Sequence, residues 1–250
     1  TRGTRTERGG AEGTHDLLPH PRRTCSGGAA ASMSSDGANT TRALRAETAR
    51  RLEANEPGLE GVELCGLYCR HGKGDPIGEE EMLRLIAALC GNTHVRTIGI
   101  GYNRGLTDVV GRALRDAVPL SAVESVRMNG CDGLSARVKA DIATACLAKR
   151  LAPARANDPE VEFLSLSFAN LEDEHARQVA AALEGNTHVL SLDLGNNELL
   201  TDACGAAILG AISRSAVHSV SLGHYPKISA RVQADIATAC LAKRLAPARA

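Results

Sequence analysis

Apolar residues recur along the chain as apolar-x-x-apolar-x-apolar, in lines that begin at Val62, Val95, Val123, Val161, Val189 and Val217. The six openings read VELCGL, VRTIGI, VESVRM, VEFLSL, VLSLDL and VHSVSL. Their fourth and sixth residues alternate with neighbours that face the other way, the period of a strand with one buried side, so each opening predicts a short strand. The period then lengthens. In LSARVKADIATACLAKR, Leu134, Val138, Ile142 and Ala145 return every three to four residues, and Ser135 stands where it caps a first helical turn. In LTDACGAAILGAI the capping place falls on Thr201 or Asp202, ahead of Ala206, Ile208 and Ile212. Each unit therefore reads as strand, turn, helix, and three of the spacings are 28 residues.

A longer period overlies this one. Ser135 to Ala156 returns as Ser229 to Ala250, 22 residues that differ only where Lys139 becomes Gln233. The same offset of 94 aligns GNTHV at Gly91 with GNTHV at Gly185, and LTD at Leu106 with LTD at Leu200. VELCGLYC from Val62 matches VEFLSLSF from Val161 at an offset of 99, which places five extra residues in the first copy, within RHGKGDPIG. The chain divides into a low-complexity tail over 1–40, a capping helix and joint over 41–61, a three-unit block over 62–156 and a duplicated block over 157–250. A strand and a helix of this size cannot bury their apolar faces alone, whereas stacked parallel copies share one core, so an α/β solenoid is expected.

The 28-residue unit, and VLSLDLGNNELL from Val189 above all, resembles the leucine-rich repeats of ribonuclease-inhibitor type, LxxLxLxxNxL followed by a helix. The resemblance implies a horseshoe of about six repeats, with parallel strands on the concave side and helices on the convex side. It implies that Asn103, Asn197 and Cys131 bond backbone in the turn after the strand; Arg70, Ala169 and Tyr225 depart from that pattern. The joints RLEANEPGLEGVEL and ARANDPEVEFL, with the NTHV joints and the last helix, resemble the repeat domain of tropomodulins over Thr41 to Lys243, which implies actin as a partner and pointed-end capping as a role. The actin- and tropomyosin-binding helices that precede such a domain are not recognisable. GTPase-activating proteins of the Ran type use a similar repeat with a catalytic arginine, but no arginine here aligns with that role.

Composition sharpens this reading. With 43% apolar residues but only 3 Tyr, 2 Phe and no Trp, the core must be built from Leu, Ile, Val and Ala. Acidic and basic residues balance at 29 each, which argues against nucleic acid as a partner. No apolar run approaches the roughly 20 residues that span a bilayer, so no membrane role and a cytoplasmic location are expected. The 8 cysteines contain no CxxC pair and read as reduced residues, several of them in the core. Cys65, Cys69 and His71 lack a fourth metal ligand. IGIGYNRG has Arg104 where a dinucleotide loop needs its third glycine, and HGKGD lacks the Ser or Thr of a phosphate loop. EEEM at Glu79 reads as the acidic first turn of a helix. No cofactor, metal or catalytic residue is expected.

Function then falls on the outward strand positions as a surface for another protein. Tyr68, Arg96, Arg127 and Phe163 are the expected anchors, since aromatic and Arg side chains carry a disproportionate share of interface energy. Glu124, Glu162, Asp193 and His218 join them on the same face, among small residues such as Gly66, Gly99, Gly101 and Gly195. At the ends, residues 1–40 carry no period and are expected to be disordered, with Met33 an alternative start. The last helix ends without a recognisable polar cap, which leaves truncation, pairing with another chain or a marginal final repeat as readings.

Overall fold

The structure is a computed structural model, and it describes residues 37–66, 76–223 and 227–246. Helices and parallel strands alternate along it. Helix α1 (Gly37–Glu53) leads into β1 (Gly61–Glu63), α2 (Glu79–Leu89), β2 (Thr97–Gly99), α3 (Asp108–Ala117) and β3 (Ser125–Arg127). Helix α4 (Ala136–Arg150) and the short α5 (Ala152–Arg155) precede β4 (Phe163–Ser165), α6 (Asp173–Leu183), β5 (Ser191–Asp193), α7 (Gly205–Arg214), β6 (Ser219–Ser221) and α8 (Ala230–Leu245). Helix α1 begins at Gly37 rather than at Thr41; the expected disorder of the preceding residues, and the turns at Arg70 and Tyr225, lie outside the described residues.

The strands form two parallel three-stranded sheets, β1-β2-β3 and β4-β5-β6. In the second, Leu164, Leu192 and Val220 stand side by side at the 28-residue spacing. The first corrects the sequence alignment. Val62 pairs with Ile98, and Ile98 with Val126, so the first unit opens at Leu59 and reads LEGVEL, not VELCGL. Leu59, Val62 and Leu64 are its buried residues, and the insertion before the second unit is eight residues rather than five. The dipeptide Val62-Glu63 mimics Val161-Glu162 and drew the alignment three residues out of step.

Side chains stitch unit to unit where the short strands end. Asn103 donates from Nδ2 to the carbonyls of Leu64 (2.7 Å) and Ile100 (2.8 Å) and accepts from Ile77 N–H. Asn197 does the same with Leu166 (2.9 Å) and Leu194 (2.7 Å), accepting from Ala169 and Leu171 N–H. Cys131 takes this place in the third unit, with Sγ 3.1 Å from the Ile100 carbonyl. Each amide fills carbonyls that water no longer reaches, and a buried polar group left unpaired costs about 1–3 kcal/mol. At the joints, Asn92 and Asn186 reach back to the carbonyls of Leu52 and Ala154, and each accepts the N–H groups two and three residues on.

Two apolar cores fill the space between helices and strands, and α4 belongs to both. Val138, Ile142 and Cys146 close the first, whereas Leu147 and Leu151 open the second. The sheets themselves do not join: β3 and β4 share no backbone ladder. Three side chains cross the junction instead. Arg150 Nη2 donates to the Ser165 carbonyl, Asn170 Nδ2 to the Val126 carbonyl (3.3 Å), and His175 meets Thr144 Oγ1 through Nε2 (2.9 Å). His175 is buried; its Nδ1 accepts from Glu172 N–H (3.0 Å), so Nε2 carries the proton and donates to Thr144, whose own hydroxyl donates to the Ala140 carbonyl. Burial lowers the His175 pKa from its ordinary 6.5, against the raising pull of Glu172 and Glu174.

Among the described residues, no helix is long and apolar enough to cross a membrane.

Candidate functional site

The outward positions of the strands differ in chemistry between the two sheets. In the first, Glu63, Gly99 and Arg127 stand in register across three strands. Glu63 and Arg127 close an ion pair over the middle one, which a side chain on Gly99 would block: a Cβ there falls within contact of the Glu63 carboxylate. One residue before the strands, Arg96 pairs with Glu124. Arg96 and Arg127, expected as anchors, are therefore each tied to a carboxylate of another unit, and this face is charged but locally neutral. Glu60, not Glu63, is the equivalent of Arg96; its carbonyl accepts Arg96 N–H (2.9 Å). Tyr68 lies outside the described residues.

In the second sheet Phe163 stands in register with Ser191 and Ser219, and Ser165 with Asp193 and Ser221. Phe163 is 59% exposed on a lane of hydroxyls. Asp193 is half-buried and accepts from Gly195 N–H (2.9 Å). Glu162 is exposed and its carbonyl accepts from Leu190 and Ser191. His218 is half-buried, with Nδ1 buried and without a hydrogen-bond partner. The small residues Gly66, Gly99, Gly101 and Gly195 have little surface of their own and lie beneath their neighbours rather than presenting a floor.

The structure adds residues that the alternating pattern did not mark. Phe168 is 49% exposed in the turn after β4, so both phenylalanines of the chain lie at the surface of one unit. Its φ is 54°, and Tyr102, at the same turn position of the second unit, has φ 60°. Gly130 and Asn196 fill this position elsewhere, at φ 70° and 59°. Left-handed backbone suits Gly and Asn and is a costly place for a bulky side chain. The signal in the sequence was positional: an aromatic residue, Tyr102 or Phe168, in a slot where the first, third and fifth units carry Gly66, Gly130 and Asn196.

No protein-family model matches the chain, and no curated protein matches it. Among solved structures it is similar to the tropomodulin C-terminal domain of Caenorhabditis elegans, at 13% identity and a TM-score of 0.34 over 80% of this chain and 93% of that one. It is similar also to leiomodin-1 actin-binding site 2 (14% identity, TM-score 0.30, 79% and 90%). A third is the leucine-rich repeat-containing protein LegL7 of Legionella pneumophila (12% identity, TM-score 0.35, 82% and 78%). At these scores the architecture rests on the strand register and the side-chain bonds described above.

Proposed function

We propose that the chain is a leucine-rich-repeat solenoid of ribonuclease-inhibitor type, produced by internal duplication, and that it binds another protein through the strand side rather than catalysing a reaction. The observation that carries the reading is the placement of Phe163 and Phe168. Two large apolar side chains stay at the surface, one of them on left-handed backbone, in a chain with few aromatics to spend. A bulky side chain on left-handed backbone, at Phe168 as at Tyr102, is kept at a cost in stability, and exposed aromatics supply binding energy once a partner covers them. The paired charges Glu63–Arg127 and Arg96–Glu124 lie on the first sheet, and exposed pairs of this kind set orientation more than affinity.

Affinity capture followed by mass spectrometry tests the proposal, with wild type run beside Phe163→Ala and Phe168→Asn. Phe168→Asn separates binding from folding. It is expected to leave the protein as stable or up to about 1 kcal/mol more stable, because Asn accepts the left-handed turn as it does at Asn196, while the captured partner is lost. Equal capture by all three proteins removes the proposal. A second reading rests on the tropomodulin-like joints, whose Asn92 and Asn186 bonds are the same in both blocks: the partner is actin and the role is at filament pointed ends. Its test is elongation of filaments whose barbed ends are capped, where unchanged pointed-end growth excludes it.

A further inference from the structure

The outward faces of the two sheets can be compared position by position. Just ahead of the strands stand Glu60, Arg96 and Glu124 in the first block and Glu162, Leu190 and His218 in the second, joined in each block by the same backbone bonds from unit to unit. At the last strand position stand Glu63, Gly99 and Arg127 in the first sheet, and Ser165, Asp193 and Ser221 in the second. Glu162 thus keeps the acid of Glu60, and Asp193 adds one at the place of Gly99, but Leu190 and Ser221 replace both arginines. In the first sheet those arginines are held by its own acids, in the Arg96–Glu124 and Arg127–Glu63 pairs. Among the described residues, Glu162 and Asp193 form no ion pair. Arg150, half-buried at the junction, donates to the Ser165 carbonyl rather than to either acid.

The exposed Phe163 stands on the same face as these two acids. Glu162 precedes it in the chain, and Asp193 lies in register with Ser165, two residues further along its strand. The face of an aromatic ring attracts a guanidinium or ammonium group, and carboxylates nearby reinforce that attraction. Given the protein-binding reading above, on which this rests, we infer that the partner of the strand side is a basic segment, which brings to the second sheet the cationic side chains that the first sheet carries itself. The segment runs extended, so that alternate side chains face the sheet. One of its cations lies on the Phe163 ring, with Glu162 and Asp193 as its counter-charges. The lane of Ser191, Ser219 and Ser221 leaves room for a long side chain and offers hydroxyl oxygens that accept from it.

The probe is a fluorescein-labelled octapeptide of alternating Arg and Ser, titrated with the full chain in low salt and followed by fluorescence anisotropy. Wild type should bind it, and more weakly as added salt screens the acids. Glu162→Gln with Asp193→Asn should weaken binding about tenfold or more. Phe163→Leu, which stays apolar but lacks the ring face, should weaken it about threefold. Leu190→Arg with Ser221→Arg gives the second sheet the arginines of the first. It should also weaken binding about tenfold, with unchanged circular dichroism, because Arg96 and Arg127 already occupy these positions in the first block. Glu80→Gln, on the exposed side of α2, should bind as wild type does. No binding by wild type overturns the inference, as does binding that survives both double variants or is lost equally with Glu80→Gln. Capture of a protein that is lost with Phe163→Ala but kept with Glu162→Gln and Asp193→Asn also overturns it, and leaves the protein-binding reading intact.

Discussion

Within the chain, α4 and α8 differ in a single residue of the 22-residue segment, yet one is closed on both sides and the other on one. The start of each helix is held in the same way. Ser135 and Ser229 cap the two helices, accepting from Val138 N–H and Val232 N–H (3.3 and 3.4 Å), and each serine N–H is taken by an aspartate of the preceding unit, Asp108 or Asp202 (2.7 and 2.6 Å). Lys149 and Lys243 donate to the final carbonyls of that unit, and Ile142 and Ile236 are both buried. The difference begins at Leu147 and Leu241, fully buried and 51% exposed. Sequence thus sets the helix and the side that faces the preceding unit, whereas burial of the other side depends on whether another unit stacks against it.

The largest effect expected from this contrast is in those leucines. Leu147→Ala should cost about 2–5 kcal/mol in urea unfolding, as for a filled core position. Leu241→Ala should cost less than about 1 kcal/mol, because its side chain is already half exposed. Equal losses would mean that the two environments are not as different as the structure has them. The caps make the opposite test: Ser135→Ala and Ser229→Ala should each lose about 1 kcal/mol, because the capping bonds match. Unequal losses would show the end helix frayed.

The smallest effect is peculiar to the covered copy. His175, held neutral against Thr144, has a folded-state pKa below the ordinary 6.5. Above 6.5 both folded and unfolded chains are neutral there and stability is full. As pH falls below 6.5 the unfolded chain takes up the proton first, so stability declines until the lowered folded value is reached. Thermal melts between pH 7.5 and 5 should show this decline, and His175→Ala should flatten it. A slope unchanged in that variant would assign the pH dependence to other groups.

Much of this was legible from the periods alone. The alternation at Leu192 and Leu194, the cap at Ser135 and the turn amides Asn103 and Asn197 follow from residue type and spacing, because each acts over one turn or one 28-residue step. The first unit misled because its true opening, Leu59-Val62-Leu64, overlaps a second apolar register. The break between β3 and β4 left only a longer spacing between apolar openings. It lies where Val123 and Val161 are ten residues further apart than the 28-residue step, and α5 occupies the added length. The site was half legible. Type and spacing brought out Phe163, but the pairing of Arg96 and Arg127 with acids needs the strand register, and Phe168 sits in a turn that an alternation search passes over.

The junction between the two sheets has a mechanical consequence. Within each sheet, load is shared by backbone ladders and turn amides, but between β3 and β4 it passes through the side chains of Arg150, Asn170 and His175 and the apolar seam at Leu147 and Leu151. Stretched from its ends, the molecule should part there first, in one discrete step that leaves both three-stranded halves folded. The segment after α4 then acts as a fuse, and the surface that tension uncovers on that helix has the same row of alanines and leucines that α8 already presents.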